Sequence, residues 1–144
     1  MGEDAAQRRT ERAELADYHV EAQRRRSDQE SAKAQVLIDR FVERATQAGL
    51  ATQELTARPW SGRARYRTGV MGWYLRRDRS VGVGVDGRFY VLAMAPVRFG
   101  RWRTVTLRPI PPPLEVGKGA RDGESFDLAD LLETRLQWPG SGEG

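Results

Sequence analysis

Apolar residues between positions 34 and 48 recur every three or four residues, and charged residues fill the positions between them. This spacing places the apolar side chains on one face of an α-helix. Ser27-Asp28-Gln29-Glu30 has the spacing of a capping box, which satisfies the free amides of a first helical turn, and Gly49 can end the helix. The pattern predicts a helix over residues 28–48. Its apolar face consists of Ala34, Leu37, Ile38, Phe41, Val42, Ala45 and Ala48.

Residues 1–26 mix charges of both signs with alanine, and only Leu15, Tyr18 and Ala22 form an apolar stripe. So thin a stripe predicts a charged arm that is either a solvated helix or disordered. The alternative is one helix from about residue 4 to 48, roughly 65 Å long at 1.5 Å per residue, that projects as a coiled-coil arm. Too few heptad positions are apolar to favour this alternative.

After residue 57 the apolar period changes to two, which is the period of a β-strand. Asp86-Gly87 is the preferred pair for a two-residue type I′ hairpin, and that turn would fix the register of its strands. In this register Val83 faces Tyr90 and Val81 faces Leu92. We therefore expect these four residues to form the apolar face on which the helix of residues 28–48 packs.

Further strands are predicted near residues 65–68, 73–77 and 103–108, with Val105 and Leu107 facing inward in the last one. The proline-rich stretch 109–113 predicts an extended crossing. Asp127 has the position of an N-cap for a final helix over about residues 127–137. The sequence thus predicts an α+β fold: a three- to five-stranded antiparallel sheet packed by an N-terminal and a C-terminal helix. The expected divisions are an arm (1–26), a single domain (27–138) and a flexible tail (139–144).

Charge is distributed unevenly along the chain. Residues 58–108 contain 12 arginines against two aspartates, a local charge of +10, whereas the whole chain carries only +4. An arginine-rich middle between acidic ends indicates an anionic partner for one surface, because the summed charge concentrates polyanions near it. The competing interpretation is that the C-terminal acids dock on this surface, or that the charge only deters pairing of strand edges.

Most familiar catalytic chemistry is absent from the composition. The chain has no cysteine and a single histidine, His19 in the charged arm, which excludes Cys-based zinc sites, His clusters and a Ser-His-Asp triad. The N-terminus lacks the apolar core of a signal peptide, and no window reaches the length of a membrane span. We expect a cytoplasmic protein without catalytic residues, metal or cofactor.

Two short motifs invite a ligand-binding interpretation and do not support it. Residues 82–87 fit G-x-G-x-x-G, but the third glycine falls in a predicted hairpin instead of opening a helix that could hold a pyrophosphate. Asp122, Glu124, Asp127 and Asp130 lack the spacing of an EF-hand, and acids in the first turn of a helix are explained by its dipole.

Aromatic residues are interleaved with the arginines, as on many nucleic-acid-binding surfaces, where guanidinium groups contact phosphates and rings stack on bases. Trp73 is expected in the core, because it alternates with Tyr74 along a strand. Arg76, Arg77 and Arg79, at a predicted strand end, are the arginines most expected to be exposed. The arginines of the loop 98–103 are the next candidates. The candidate nucleic-acid-binding residues are Arg76, Arg77, Arg79, Arg98, Arg101, Arg103, Arg63, Arg65 and Arg67.

Residues 72–80 (GWYLRRDRS), 86–92 (DGRFYVL) and 119–125 (GARDGES) resemble uncharacterised small proteins of high-GC Gram-positive bacteria. The resemblance spans about residues 35–137. It implies that the domain follows residue 30 and that the arm is variable, and it implies no activity.

These patterns together predict a non-catalytic basic module that binds nucleic acid, or a nucleoprotein such as the ribosome, mostly through phosphates. The alternative is a protein–protein adaptor or chaperone-like module that uses its helices to dimerise or to hold a partner. No contact with a membrane is expected.

Overall fold

Two helices pack on the outer face of a strongly curled β-sheet in the part of the chain that the computed structural model describes, residues 2–117 and 124–138. The expected tail 139–144 lies outside these residues. A 3-10 turn, Gly100–Trp102, lies between the fifth and sixth strands. In chain order the elements are α1 (Gly2–Gln47), β1 (Gln53–Pro59), β2 (Tyr66–Tyr74), β3 (Val81–Gly84), β4 (Phe89–Val91), β5 (Ala93–Met94), β6 (Glu115–Val116), β7 (Phe126–Asp127) and α2 (Leu128–Leu136).

Helix α1 is continuous, so the predicted helix start at Ser27 is wrong and the single long helix is observed instead. Its 46 residues correspond to about 69 Å. The apolar face predicted near its C-terminal end is confirmed, since Ala34, Ile38, Phe41 and Ala45 are buried. Before residue 31, by contrast, side chains are almost all exposed. The division of the chain into an arm and a domain at residue 27 stays a prediction.

The main sheet has the strand order β4-β3-β2-β1-β5, and it is mixed, whereas the sequence predicted a purely antiparallel sheet. β5 pairs parallel to β1 through Arg58 and Ala93. Only Leu92 separates β4 from β5, so the two outer strands form one extended segment and the sheet curls until its edges meet. Leu92 makes this closure, because its amide donates to the Ser80 carbonyl and its carbonyl accepts from the Arg58 amide, both at 2.9 Å. Strand twist accumulates in such a curled sheet. The closing pair, β1 and β5, is therefore parallel, although the other neighbouring strands of this sheet are antiparallel.

The hairpin between β3 and β4 has a register one residue away from the predicted one. Val83 pairs with Phe89 and Gly82 with Tyr90, around a three-residue turn in which Gly87 has φ +81. Glycine in this left-handed conformation completes a type I turn with a bulge, which an Asp-Gly pair supports as well as the two-residue turn. The one-residue shift moves Tyr90 and Leu92 to the opposite face of the sheet from the predicted one.

Two apolar layers follow from this register. On the outer face Trp73, Leu75, Val81, Val83 and Phe89 pack against both helices, and the Trp73 ring meets Phe41 edge to face at 5.6 Å. The burial of Trp73 confirms its predicted core position. Inside the curl lie two further buried groups, which consist of Leu55, Tyr74, Tyr90 and Leu92, and of Ala57, Tyr66 and Val105.

The segment 103–108 is not the regular strand that the sequence predicted. A single parallel bridge joins Thr104 to Arg67, and the rest of the segment is extended without a ladder. Val105 is nevertheless buried, as predicted, because it closes the inner layer over Tyr66. The proline-rich crossing bridges β4 once, at Ile110.

Helix α2 confirms the predicted C-terminal helix and its cap. The Asp127 carboxylate accepts hydrogen bonds from the amides of Ala129 at 2.9 Å and Asp130 at 3.4 Å. Leu128 and Leu132 are buried against α1 and the sheet. Arg44 of α1 and Glu133 of α2 join the helices through hydrogen bonds of 2.7 and 3.2 Å.

Candidate nucleic-acid interface

The nine candidate arginines fall into two groups at opposite ends of β2. The first group lies near the start of β2, either just before the strand, at its second residue or in the loop 98–103. The second group follows β2, in the turn to β3. A nine-residue strand is about 27 Å long, so the two groups are well separated. We call the first surface the basic tip: Trp60, Arg63, Arg65, Arg98, Phe99, Arg101, Trp102 and Arg103. The second is the turn group: Arg76, Arg77 and Arg79.

Tyr66 brings the two loops of the basic tip together. Its hydroxyl accepts a hydrogen bond from the Val97 amide at 3.2 Å. Its ring lies so close to Gly100 that a Cβ there would come within 2.7 Å of the ring. Gly100 is therefore required by a close approach, and it holds the 3-10 turn against the start of β2. On the other side, the Trp60 amide donates to the Met94 carbonyl at 3.0 Å.

Arg67, at the margin of the basic tip, is neutralised by Glu54 on the neighbouring strand. Two hydrogen bonds of 2.9 and 3.1 Å join the guanidinium to the carboxylate. The hydrogen bond from Arg67 lowers the pKa of Glu54, and the same contact raises the pKa of Arg67. This prior engagement makes Arg67 the least available of the candidates, and no feature of the sequence pattern indicated Glu54 as its partner.

The arginines of the basic tip itself are exposed. Within the described chain, none of Arg63, Arg65, Arg98, Arg101 and Arg103 lies within ion-pair distance of a carboxylate. Arg65 donates to the Thr56 hydroxyl at 3.2 Å, and Arg98 lies over the Phe99 ring at 5.2 Å. Five positive charges are thus concentrated on two adjoining loops.

Three large rings are also exposed on the basic tip. Trp60, Phe99 and Trp102 have 76%, 59% and 75% of their surface accessible. The Phe99 and Trp102 ring centroids are 6.0 Å apart. Phe99 has φ 61 and ψ 21, a left-handed conformation that bulky residues adopt only when the surrounding structure imposes it.

The turn group differs from the expectation that it would be the most exposed part of the surface. Arg76 is only 22% exposed: it lies over the Phe126 ring at 4.3 Å and within ion-pair distance of Asp78 and Glu124. Arg77 is exposed but lies over Trp138, and Arg79 lies over Tyr74. The physical reason is that the C-terminal segment docks beside this turn. The competing interpretation of intramolecular neutralisation therefore fits the turn group and not the basic tip.

Arg135 is a buried cation that the sequence pattern gave no reason to single out. Its Nε donates to the Tyr74 carbonyl at 2.7 Å, and its guanidinium lies over the Trp138 ring at 4.5 Å. Burial lowers its pKa. These contacts tie α2 to the end of β2 and give Arg135 a structural role.

Two other kinds of feature, a metal cluster and a membrane-spanning helix, are not found in the described part of the chain. Within it, no three acidic or histidine side chains cluster closely enough to hold a metal ion. Asp127, one of the acids considered above, is occupied as a helix cap. No helix in residues 2–117 and 124–138 has the length and apolar character needed to cross a membrane.

Comparison with known proteins adds no identification. No protein-family model, curated protein or solved structure matches the chain.

Proposed function

We propose that this protein is a non-catalytic module that binds nucleic acid, or a nucleoprotein surface, through the basic tip. The observation that carries the proposal is the set of five exposed arginines on two adjoining loops, without a carboxylate of the described chain in ion-pair distance. The chain as a whole carries only +4. This local charge is therefore available to an external polyanion.

Arginine suits this task because its planar guanidinium donates two parallel hydrogen bonds to a phosphate. Neutralising phosphates releases condensed counterions, so the affinity falls steeply as salt rises. Five phosphate contacts correspond to a log–log slope of about −4.5 for a duplex and about −3.5 for a single strand. Contacts of this kind position the protein and read little sequence.

The test compares two charge-reversed variants of the full chain by fluorescence anisotropy with labelled duplex DNA and single-stranded RNA, between about 50 and 200 mM salt. Arg101→Glu/Arg103→Glu alters the basic tip. Arg8→Glu/Arg9→Glu makes the same change of net charge on the exposed arm. We expect the first variant to lose most of the binding and the second to retain it.

A third pair, Arg76→Glu/Arg77→Glu, distinguishes the two ends of the sheet. We expect a smaller loss than for the basic tip, because Arg76 already contacts Asp78 and Glu124. Equal losses in all three variants would show that only net charge matters and would contradict a localised surface. Absence of binding at low salt would overturn the proposal.

The exposed part of α1 favours one second candidate function, a protein–protein adaptor. The side chains of residues 2–26 are almost all exposed, and Leu15, Tyr18 and Val20 are 59%, 62% and 59% exposed on this arm. A helix in a protein gains most of its stability from packing, and a helical segment without such packing is only marginally stable in water. A partner that packs along the arm, including a second copy of the chain, would supply it.

A further inference from the structure

We infer that the basic tip binds single-stranded nucleic acid in preference to duplex, with unpaired bases stacked on Trp60 and Trp102. This inference rests on the proposed function and names its substrate class. The observations that carry it are the exposure of the rings and their placement among the arginines, which are independent of the charge count.

Burial does not explain the rings. Trp60 and Trp102 leave about three quarters of their surface in water, at 76% and 75%, and Phe99 adds a third ring at 59%. A single exposed apolar side chain is ordinary on a protein surface, but several large rings at one end mark a contact surface. Trp73, in contrast, is 2% exposed, so the fold does bury a tryptophan where packing requires it.

The local backbone presents the rings instead of folding them inward. Phe99 is held in the left-handed region at the entry to the 3-10 turn, and Trp102 closes this turn with a hydrogen bond from its amide to the Phe99 carbonyl at 3.0 Å. The turn is anchored from below by Gly100 against Tyr66. An anchored turn with two contacting rings on its outer side is a rigid platform. Because the turn is already ordered, little conformational entropy of the protein is lost when a ligand binds.

Arginines adjoin the platform along the chain: Arg98 precedes Phe99, and Arg101 and Arg103 flank Trp102. Rings that alternate with guanidinium groups match the alternation of bases and phosphates along an unpaired strand. In a duplex the base faces are stacked on each other and inaccessible, so the rings would contribute little there. The expected preference is therefore for single strands, with little dependence on sequence.

Stacking on one ring contributes a factor of roughly 5 to 150 in affinity. We therefore expect Trp102→Ala and Trp60→Ala each to weaken binding of a labelled single-stranded oligonucleotide by about this factor. Binding of the same sequence as a duplex should change less than about twofold, since phosphate contacts remain. Trp102→Phe should restore much of the loss. Arg101→Gln/Arg103→Gln should weaken both probes and reduce both salt slopes.

Thermal unfolding of each variant verifies the fold, and the exposure of both tryptophans predicts little change. Equal binding of both probes with no effect of the ring variants would overturn the single-strand inference and leave the proposed function standing. Absence of binding to either probe at low salt would overturn both. Binding to vesicles of anionic phospholipid that is lost in Trp102→Ala, with none to oligonucleotides, would also overturn the inference and assign the rings to a lipid surface.

Discussion

Phe99 shows how one residue links backbone strain to the candidate interface. Its φ of 61 places a bulky L-residue in the left-handed region, where the contact between Cβ and the carbonyl oxygen costs about 1–2 kcal/mol. Its ring is 59% exposed, so burial offsets little of this cost. A strained residue that packing does not require is consistent with the proposal that its ring is presented to a ligand.

This strain predicts an inverted order of stability for two truncations. Glycine accepts the left-handed conformation without the Cβ contact, so Phe99→Gly should be more stable than Phe99→Ala by about 1 kcal/mol. At an ordinary extended or helical position the order is the reverse. Urea unfolding of the two variants measures the difference, and a more stable alanine variant would show that the turn is not strained at this residue.

The helix elements show which signals a sequence carries and which it lacks. Asp127 and the leucines at positions 128, 131, 132 and 136 predicted α2 because a cap and an apolar stripe are both local patterns, even though the stripe packs on α1 and the sheet. The projecting part of α1 lacks such a stripe, since it packs on nothing in the described chain. Local contacts support it instead, such as the Glu21–Arg25 ion pair at 3.6 Å. Amphipathic pattern is therefore a poor guide where a helix leaves the core.

The predicted hairpin register was wrong for a different reason. Asp86-Gly87 marks a hairpin in either register, and only the packing of Phe89 under α1 and of Tyr90 inside the curl selects the observed one. The same limitation affected the candidate interface. The pattern of arginines and rings selected the candidate residues. The fold then separates these residues into two groups at opposite ends of β2, and the order of residues along the chain does not contain this information.

The α1–α2 contact gives a pH dependence with a definite sign. The hydrogen bond from Arg44 lowers the pKa of Glu133, so the charged carboxylate stabilises the folded state. This contribution is fully present above the ordinary glutamate pKa, about 4.3, and is lost as pH falls through the lower folded value. We expect Glu133→Gln to be less stable than the wild type at neutral pH and the difference to shrink at acid pH.

Chemical unfolding of the two proteins between about pH 7 and pH 3 measures this difference. Glu43→Gln is the matched control, because Glu43 lies on α1 and makes no ion pair within the described chain. If the difference in unfolding free energy between Glu133→Gln and the wild type stays constant down to acid pH, the effect comes from packing and not from the charge.

At the scale of the whole molecule, charge and core occupy different regions. One apolar layer lies between the helices and the outer face of the sheet, and the other lies inside the curled sheet. The arginines of the basic tip lie on the loops beyond the start of β2. Surface changes at the basic tip should therefore alter binding with little effect on stability. The charge distribution suggested both an anionic partner and docking of the C-terminal acids on the arginines, but it did not indicate that only the turn group would be engaged in this way.

The arm provides the last prediction, because the structure places it outside the core. Ala34 is the first fully buried residue of the described chain, so removal of residues 2–26 should change the free energy of unfolding by less than about 0.5 kcal/mol. The truncated helix would begin at Ser27-Asp28-Gln29-Glu30, whose capping box can serve an exposed first turn once the preceding residues are gone. Glu30 also accepts a hydrogen bond from the Leu114 amide at 3.1 Å, which keeps this end of the helix on the domain.

Light scattering of the full and truncated chains measures their mass, and urea unfolding measures their stability. Equal stability and a monomeric mass in both would show that the arm is dispensable for folding and for self-association, whereas a full-length dimer that dissociates and loses stability on truncation would contradict the prediction and make the arm an interface between copies.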